Sequence, residues 1–241
     1  MSVRKIQFAK DHIYHIYNRG VEKRNIFRND NDRWRFLQGL FLFNDVEAST
    51  NILWQVERAK GKATFKTIQD FLKNDQKNRQ PLVRIMADCL MPNHYHLLIK
   101  EINDGGISKF MHKLGTGYAQ YLNKKYERSG SLFEGPFKAI LVDSQEYLEQ
   151  LLVYINVINP AQLVEPNLKK TGIKNLDKVL DFVRSYLWST HQEYLGKRKS
   201  IIIDKDILGE IFSSSKDYQK LVRASLLERK FNSINNLTLE D

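Results

Sequence analysis

Cysteine is nearly missing from this chain. Cys89 is the only one, so no intrachain disulfide can form and a buried core has to hold the fold. No run of about 18 apolar residues occurs, so no segment reads as a membrane-spanning helix. The opening stretch, Met1 to Asp11, turns charged before an apolar region develops. The chain therefore reads as soluble and cytoplasmic, with no membrane partner. Acidic residues are the minority: 28 Asp and Glu stand against 38 Lys and Arg, a net charge of +10. That excess suits a polyanion, because Lys and Arg that neutralise phosphates release condensed counterions. With 241 residues the chain is long enough for one sizeable domain, or a domain plus an extension, burying on the order of 70% of its unfolded surface.

Against this background one short run stands out, Met91-Pro92-Asn93-His94-Tyr95-His96-Leu97-Leu98-Ile99-Lys100. Side chains alternate along a strand, so His94 and His96 project to one face while Tyr95 and Leu97 project to the other. Neutral imidazole is the commonest metal ligand, and a bound cation can polarise a phosphoryl oxygen. About sixty residues on, a helix-like segment carries Tyr154. The pattern points to a metal site facing a tyrosine nucleophile, although two histidines on a half-exposed strand would look the same.

The remaining punctuation organises the chain. Alternation marks His12 to Asn18 as a strand, and Asp30 or Asp32 is placed to cap a helix through Trp34, Phe36, Leu37, Leu40 and Phe41. Residues 44–80 lack a single period and read as an insertion, with a short amphipathic helix from Thr64 to Lys73. Val83 to Leu90 and His94 to Lys100 form two strands joined at Pro92-Asn93. A helix from Ile107 to Tyr126, a strand from Phe137 to Val142 and a helix capped at Asp143 or Ser144 follow, the last stopping near Asn159-Pro160. This order predicts an α+β, ferredoxin-like fold with a mainly antiparallel sheet backed by helices. Residues 1–162 read as that domain. Residues 163–241 read as a helical C-terminal extension, with helices over Leu176 to Tyr194, Lys205 to Phe212 and Lys216 to Arg229 and a frayed tail from Asn232.

Several motifs lie in order along the chain. They are Tyr17-Asn18-Arg19-Gly20 through Ile26-Phe27; Asp32-Arg33 to Phe36-Leu37; the His94 run; Tyr118-x-x-Tyr121-x-Asn123; Ser129 to Gly135; Tyr147-Leu148; Tyr154-Ile155; Asn159-Pro160; and Trp188-Ser189 with Tyr194-Leu195-Gly196. Together they resemble the single-tyrosine HUH transposases, and most closely the branch called REP-associated tyrosine transposases. The resemblance implies an HUH fold in which His94 and His96 bind a divalent cation, Mg²⁺ or Mn²⁺. Tyr154 would attack single-stranded DNA beside a hairpin, giving a 5′-phosphotyrosine and a free 3′-OH. It leaves a monomer and a homodimer both open.

The chain departs from the family pattern in three places. Tyr154-Ile-Asn-Val-Ile-Asn159-Pro160 carries one residue more than relatives do between the tyrosine and Asn-Pro. The third ligand expected one turn after the tyrosine falls on Ile158, so Asn159 can serve only if the helix bulges by a residue. Pro136 stands where relatives often carry Arg, and the 44–80 insertion is long for the family. DNA-contact candidates are Arg19, Tyr118, Tyr121, Lys124, Lys125, Arg128, Glu134 and Lys138, since bases of single strands stack on aromatic rings between basic residues. Tyr118, Tyr121 and Leu122 also have the spacing of a helix core. Tyr147 fits a core position, and His12, His15, His112 and His191 read as structural or exposed. A hairpin-binding protein without turnover, and a zinc hydrolase needing a further carboxylate ligand, are the competing readings.

Overall fold

The computed structural model describes residues 6–47, 52–61, 63–74 and 79–228. Four strands, β1 (Ile13–Arg19), β2 (Val83–Met91), β3 (His94–Glu101) and β4 (Lys138–Val142), form one sheet in the order β2-β3-β1-β4. Every neighbouring pair is antiparallel, with Arg19 opposite His94, Met91 opposite His94, and Tyr17 opposite both His96 and Lys138. This is the split β-α-β arrangement of a ferredoxin-like sheet, as the order of elements predicted.

The pleat sorts the strands into two faces. Tyr14, Ile16, Tyr95 and Leu97 point toward α1 (Asp30–Leu42) and α4 (Gly106–Lys125), where Phe36 lies 4.9 Å from Tyr95 and 5.0 Å from Tyr118 between ring centroids. His15, Tyr17, His94 and His96 take the other face, under α5 (Gln145–Val153) and its continuation. The caps are local. Asn29, not Asp30 or Asp32, caps α1 by accepting from the Asp32 N–H at 3.2 Å, and Ser144 caps α5 by accepting from the Tyr147 N–H at 3.3 Å. Asp32 is instead buried and accepts from Lys125 at 2.6 Å, Tyr126 at 2.8 Å and Tyr121 at 3.0 Å. Burial alone would raise its carboxyl, but those bonds hold it below the usual range. At the other end, the Glu101 carboxylate accepts from the Gly106 and Ile107 N–H groups at 3.2 Å each, closing the start of α4. Gly106 has to be glycine there, because a Cβ would sit 2.3 Å from the Leu82 carbonyl oxygen.

The insertion contributes α2 (Ile52–Lys60) and α3 (Phe65–Asn74), whose Ile52, Leu53, Val56 and Ile68 make a small core of their own with Leu42 of α1. The stretch from Ile52 to Val56 is thus helical.

One expectation for the C-terminal part is corrected. This helical part shares the main core through Val179, Val183, Tyr194, Tyr218 and Val222. The helix expected from Leu176 to Tyr194 breaks into α8 (Leu176–Ser185) and α9 (His191–Tyr194). Between them the chain runs along the outer edge of β2: the Leu90 N–H donates to the Trp188 carbonyl at 2.8 Å and the Thr190 N–H to the Asp88 carbonyl at 3.1 Å. Covering an open sheet edge outweighs continued helix here. The later helices are α10 (Ile207–Ile211) and α11 (Ser215–Glu228), and the tail from Asn232 lies outside the described residues. No helix of the described residues is long and apolar enough to cross a membrane.

Candidate active site

The bend of Pro92 and Asn93 places His94 at the first position of β3, and Asn93 also holds its ring. The His94 Nδ1–H donates to the Asn93 side-chain oxygen at 2.7 Å, which leaves Nε2 as the lone-pair nitrogen. Two residues on, His96 is fully buried and edge-on to His94, with ring centroids 5.0 Å apart. Its Nδ1 is 2.8 Å from Nε2 of His15, which stacks on it from β1. If His96 donates across that bond, His96 Nε2 carries a lone pair; the reverse tautomer would cap it with a proton. Among the described residues Nε2 of His96 has no hydrogen-bond partner. Burial first, and then the Lys169 and Arg19 charges, lowers His94 to about 3. Burial also lowers His15 to about 3 and holds His96 well below its usual value. All three rings are neutral at pH 7, the form a metal ligand requires.

Tyr154 comes to this pair from the helix after β4. Its ring stands edge-on to His96 with centroids 5.7 Å apart. Its hydroxyl accepts a hydrogen bond from Lys169 Nζ at 2.9 Å, and the same ammonium lies 4.6 Å from the ring centroid. Lys169 belongs to α7 (Leu168–Thr171), fifteen residues further along, and covers a tyrosine that is 0% exposed. Its position carries no motif, so the sequence does not disclose it.

The extra residue after Tyr154 is absorbed where it was expected to be. From Tyr154 to Ile158 the helix widens into a π-turn, and the Asn159 N–H donates to the Tyr154 carbonyl five residues back. A regular turn, α6 (Asn159–Ala161), then resumes. Asn159 is fully buried; its side-chain oxygen accepts from Gln162 at 3.4 Å, while its Nδ2 has no partner among the described residues. Turned over, that amide would offer an oxygen. Asn156 is occupied elsewhere, accepting from the Thr190 hydroxyl at 2.7 Å. Among the described residues no three His, Cys, Asp or Glu side chains converge as a metal site.

The DNA-contact candidates divide. Arg19, opposite His94 in register, is forked onto Glu134 at 2.7 and 3.1 Å, which brings both to the mouth of the site. Lys124 and Lys138 are exposed; Arg128 donates to Asn123 at 3.4 Å. Tyr118 is corrected to a core residue, 2% exposed, with its hydroxyl donating to the Ile26 carbonyl at 2.6 Å. Tyr121 and Lys125 are engaged by Asp32, so that end of the aromatic and basic stretch secures α4 to α1. Tyr147 sits near Tyr17, its hydroxyl buried without a partner among the described residues, and burial pushes it up to about 12. His191 is bonded to Tyr218 at 2.9 Å and His112 lines a cavity beside α4.

A histidine pair thus opens a central strand and is faced by one tyrosine from the helix that follows the last strand, the arrangement that the resemblance to single-tyrosine HUH transposases implied. The sequence model of the family described as IS200-like transposase matches residues 52–157, from the insertion to just past Tyr154. This segment, a little under half of the chain, is similar to that family. The solved structure titled "Structure of the REP associates tyrosine transposase bound to a REP hairpin" overlaps 85% of this chain and 94% of its own, at 11% identity and a TM-score of 0.46. No curated protein sequence matches the chain.

Proposed function

We propose that this chain is a metal-assisted single-stranded DNA endonuclease and strand transferase acting beside hairpins through Tyr154. The observation that carries the reading is the Tyr154 hydroxyl, held 2.9 Å from an ammonium and edge-on to a buried, neutral histidine. A phenol is a weak nucleophile at its ordinary pKa near 10. The Lys169 charge favours the phenolate form. Attack of the Tyr154 oxygen on phosphorus forms one O–P bond and breaks the bond to the 3′ oxygen, which takes up the proton that the phenol gives up. Because one phosphoester replaces another, a 3′-OH can reverse the step and join strands.

His94, His96 and the Asn159 amide would hold a divalent cation, Mg²⁺ or Mn²⁺, consistent with a mixed nitrogen and oxygen donor set and an open shell. When bound, such a cation polarises a phosphoryl oxygen and offsets charge that develops there. His15 orients His96 for this role, and Asn93 orients His94. Arg19 and Lys169 place positive charge beside the histidines, where a phosphate enters. Nucleophile and histidines come from one chain, so the reading needs no second copy.

The test is incubation with labelled single-stranded hairpins and Mn²⁺. A covalent adduct should form, with mass spectrometry placing the link at Tyr154, and Tyr154→Phe should eliminate it while hairpin binding persists. Binding without any adduct would instead favour a hairpin-binding protein, and a link at Tyr147 would misplace the nucleophile.

A further inference from the structure

On the sheet face away from the histidines, a cavity of about 200 Å³ opens between α1, β2 and the chain that follows α8. One of its walls is Asp88 of β2, only 5% exposed. The backbone of Asp88 is bonded to Thr190, but among the described residues no donor reaches its carboxylate. Arg198 is near but turned elsewhere: four of its five N–H groups are forked onto Glu193 and given to the Leu187 and Ser189 carbonyls at 2.7 and 2.6 Å. A buried carboxylate without donors is costly to keep charged. Accordingly burial, then Glu193, raises Asp88 to about 7. The other walls are unusual too. Trp34, Leu187 and Ile201 line the cavity while remaining 43%, 50% and 44% exposed, and Lys199 stands among them. A second cavity of about 550 Å³ shares Trp34 and Phe65 with the first and continues past Arg35 and Tyr121.

We propose that the Asp88 cavity is a pocket for one unpaired guanine of a single strand, with its ring against Trp34 and its N1–H and N2–H donated to Asp88. The inference rests on the single-strand reading above and adds to it a base preference at a second place. The volume admits one flat ring system. An exposed indole offers a stacking surface. Guanine alone presents two adjacent donors on its Watson–Crick edge; adenine and cytosine pair each amino donor with an acceptor, and thymine flanks its single N–H with two carbonyls, all of which a carboxylate repels. That edge is free only in an unpaired strand. The linked cavity, with Arg35 on its wall, gives the flanking nucleotides a path along α1.

The test uses the full chain at pH 8.5, where Asp88 is ionised, in EDTA so that no cleavage intervenes, and three labelled heptamers: dT₃-dG-dT₃, the same strand with inosine in place of guanine, and dT₇. Inosine removes only the N2 amine. The guanine strand should bind about five- to tenfold tighter than the inosine strand, the effect of one hydrogen bond to a charged acceptor. Asp88→Asn should make the two bind alike, and Trp34→Ala should weaken the guanine strand. Thermal melting of Asp88→Asn should show no loss of stability, since the carboxylate it replaces has no donor; a large fall in Tm would make Asp88 structural and overturn the proposal. Equal binding of guanine and inosine by the unaltered chain, or a preference kept by Asp88→Asn, would overturn it as well. If none of the heptamers nor a longer single strand binds at low salt, the single-strand reading itself fails.

Discussion

Replacing Lys169 by Met separates charge from cover. Methionine has nearly the length of lysine and fills the same space over Tyr154, but it cannot donate the 2.9 Å hydrogen bond or place a cation 4.6 Å from the ring. A hydrogen bond to a charged group contributes about 1.5–3 kcal/mol. If that energy is realised mainly as charge develops on the phenol oxygen, its loss slows adduct formation by roughly ten- to a hundredfold. The assay is single-turnover accumulation of covalent protein-DNA product on denaturing gels, with hairpin at saturating concentration and Mn²⁺ present. Lys170→Met is the control, because it removes one charge from an exposed neighbour and leaves the phenol contact alone. An unchanged rate in Lys169→Met would refute activation by the ammonium. A faster rate would show that Lys169 serves as a lid whose removal admits DNA.

Other outcomes follow from the same geometry. His94→Ala and His96→Ala should each abolish adduct formation while hairpin affinity, measured by anisotropy, stays within a few fold; lost affinity with an intact melting curve would count against a metal role. Affinity should fall with salt at a log-log slope of about −0.7 per phosphate neutralised on a single strand, and a flat response would remove the electrostatic part of the argument. His191 is lowered to about 4, by burial first and then by Arg184 and Lys197. Above pH 6.5 it is neutral folded or unfolded and contributes nothing; as pH falls from 6.5 toward 4 only the unfolded chain takes the proton, costing about 3 kcal/mol of stability. Denaturant titrations at pH 7 and 4.5 should show this loss, and His191→Gln should reduce it. An identical pH dependence in that variant would mean the ring is not the cause.

The sheet was readable because its evidence is local. Alternation from Ile13 to Asn18 and from His94 to Lys100, with a Pro-Asn bend, is enough to set faces and order. Tyr154 and the helix bulge were readable by counting residues to Asn159-Pro160. His15 was not, because its contact with His96 depends on the pairing of β1 with β3, and a lone histidine on a strand has no spacing to announce it. Lys169 was missed for a similar reason: a four-residue helix carries no period, and only tertiary packing turns it over the tyrosine. Tyr118 and Lys125 misled because a helix that presents rings and lysines toward α1 has the composition of a nucleic-acid surface. The break at Tyr186 was hidden since pairing with β2 is a long-range event overriding a helical pattern.

The widened turn after Tyr154 also bears on descent. A π-turn is the trace of a one-residue insertion that a helix accommodates without rotating what comes after it. Pro160 and everything beyond it therefore keep the orientation they would have in a relative one residue shorter. The gap in any comparison with such relatives belongs inside residues 154–158, not in a flanking loop. Placed outside, it would set Ile158, not Asn159, at the place where the family resemblance implies a polar side chain. A helix can thus absorb this length change in a single step, with Asn159 five residues from Tyr154 standing where a regular turn would place a residue four away.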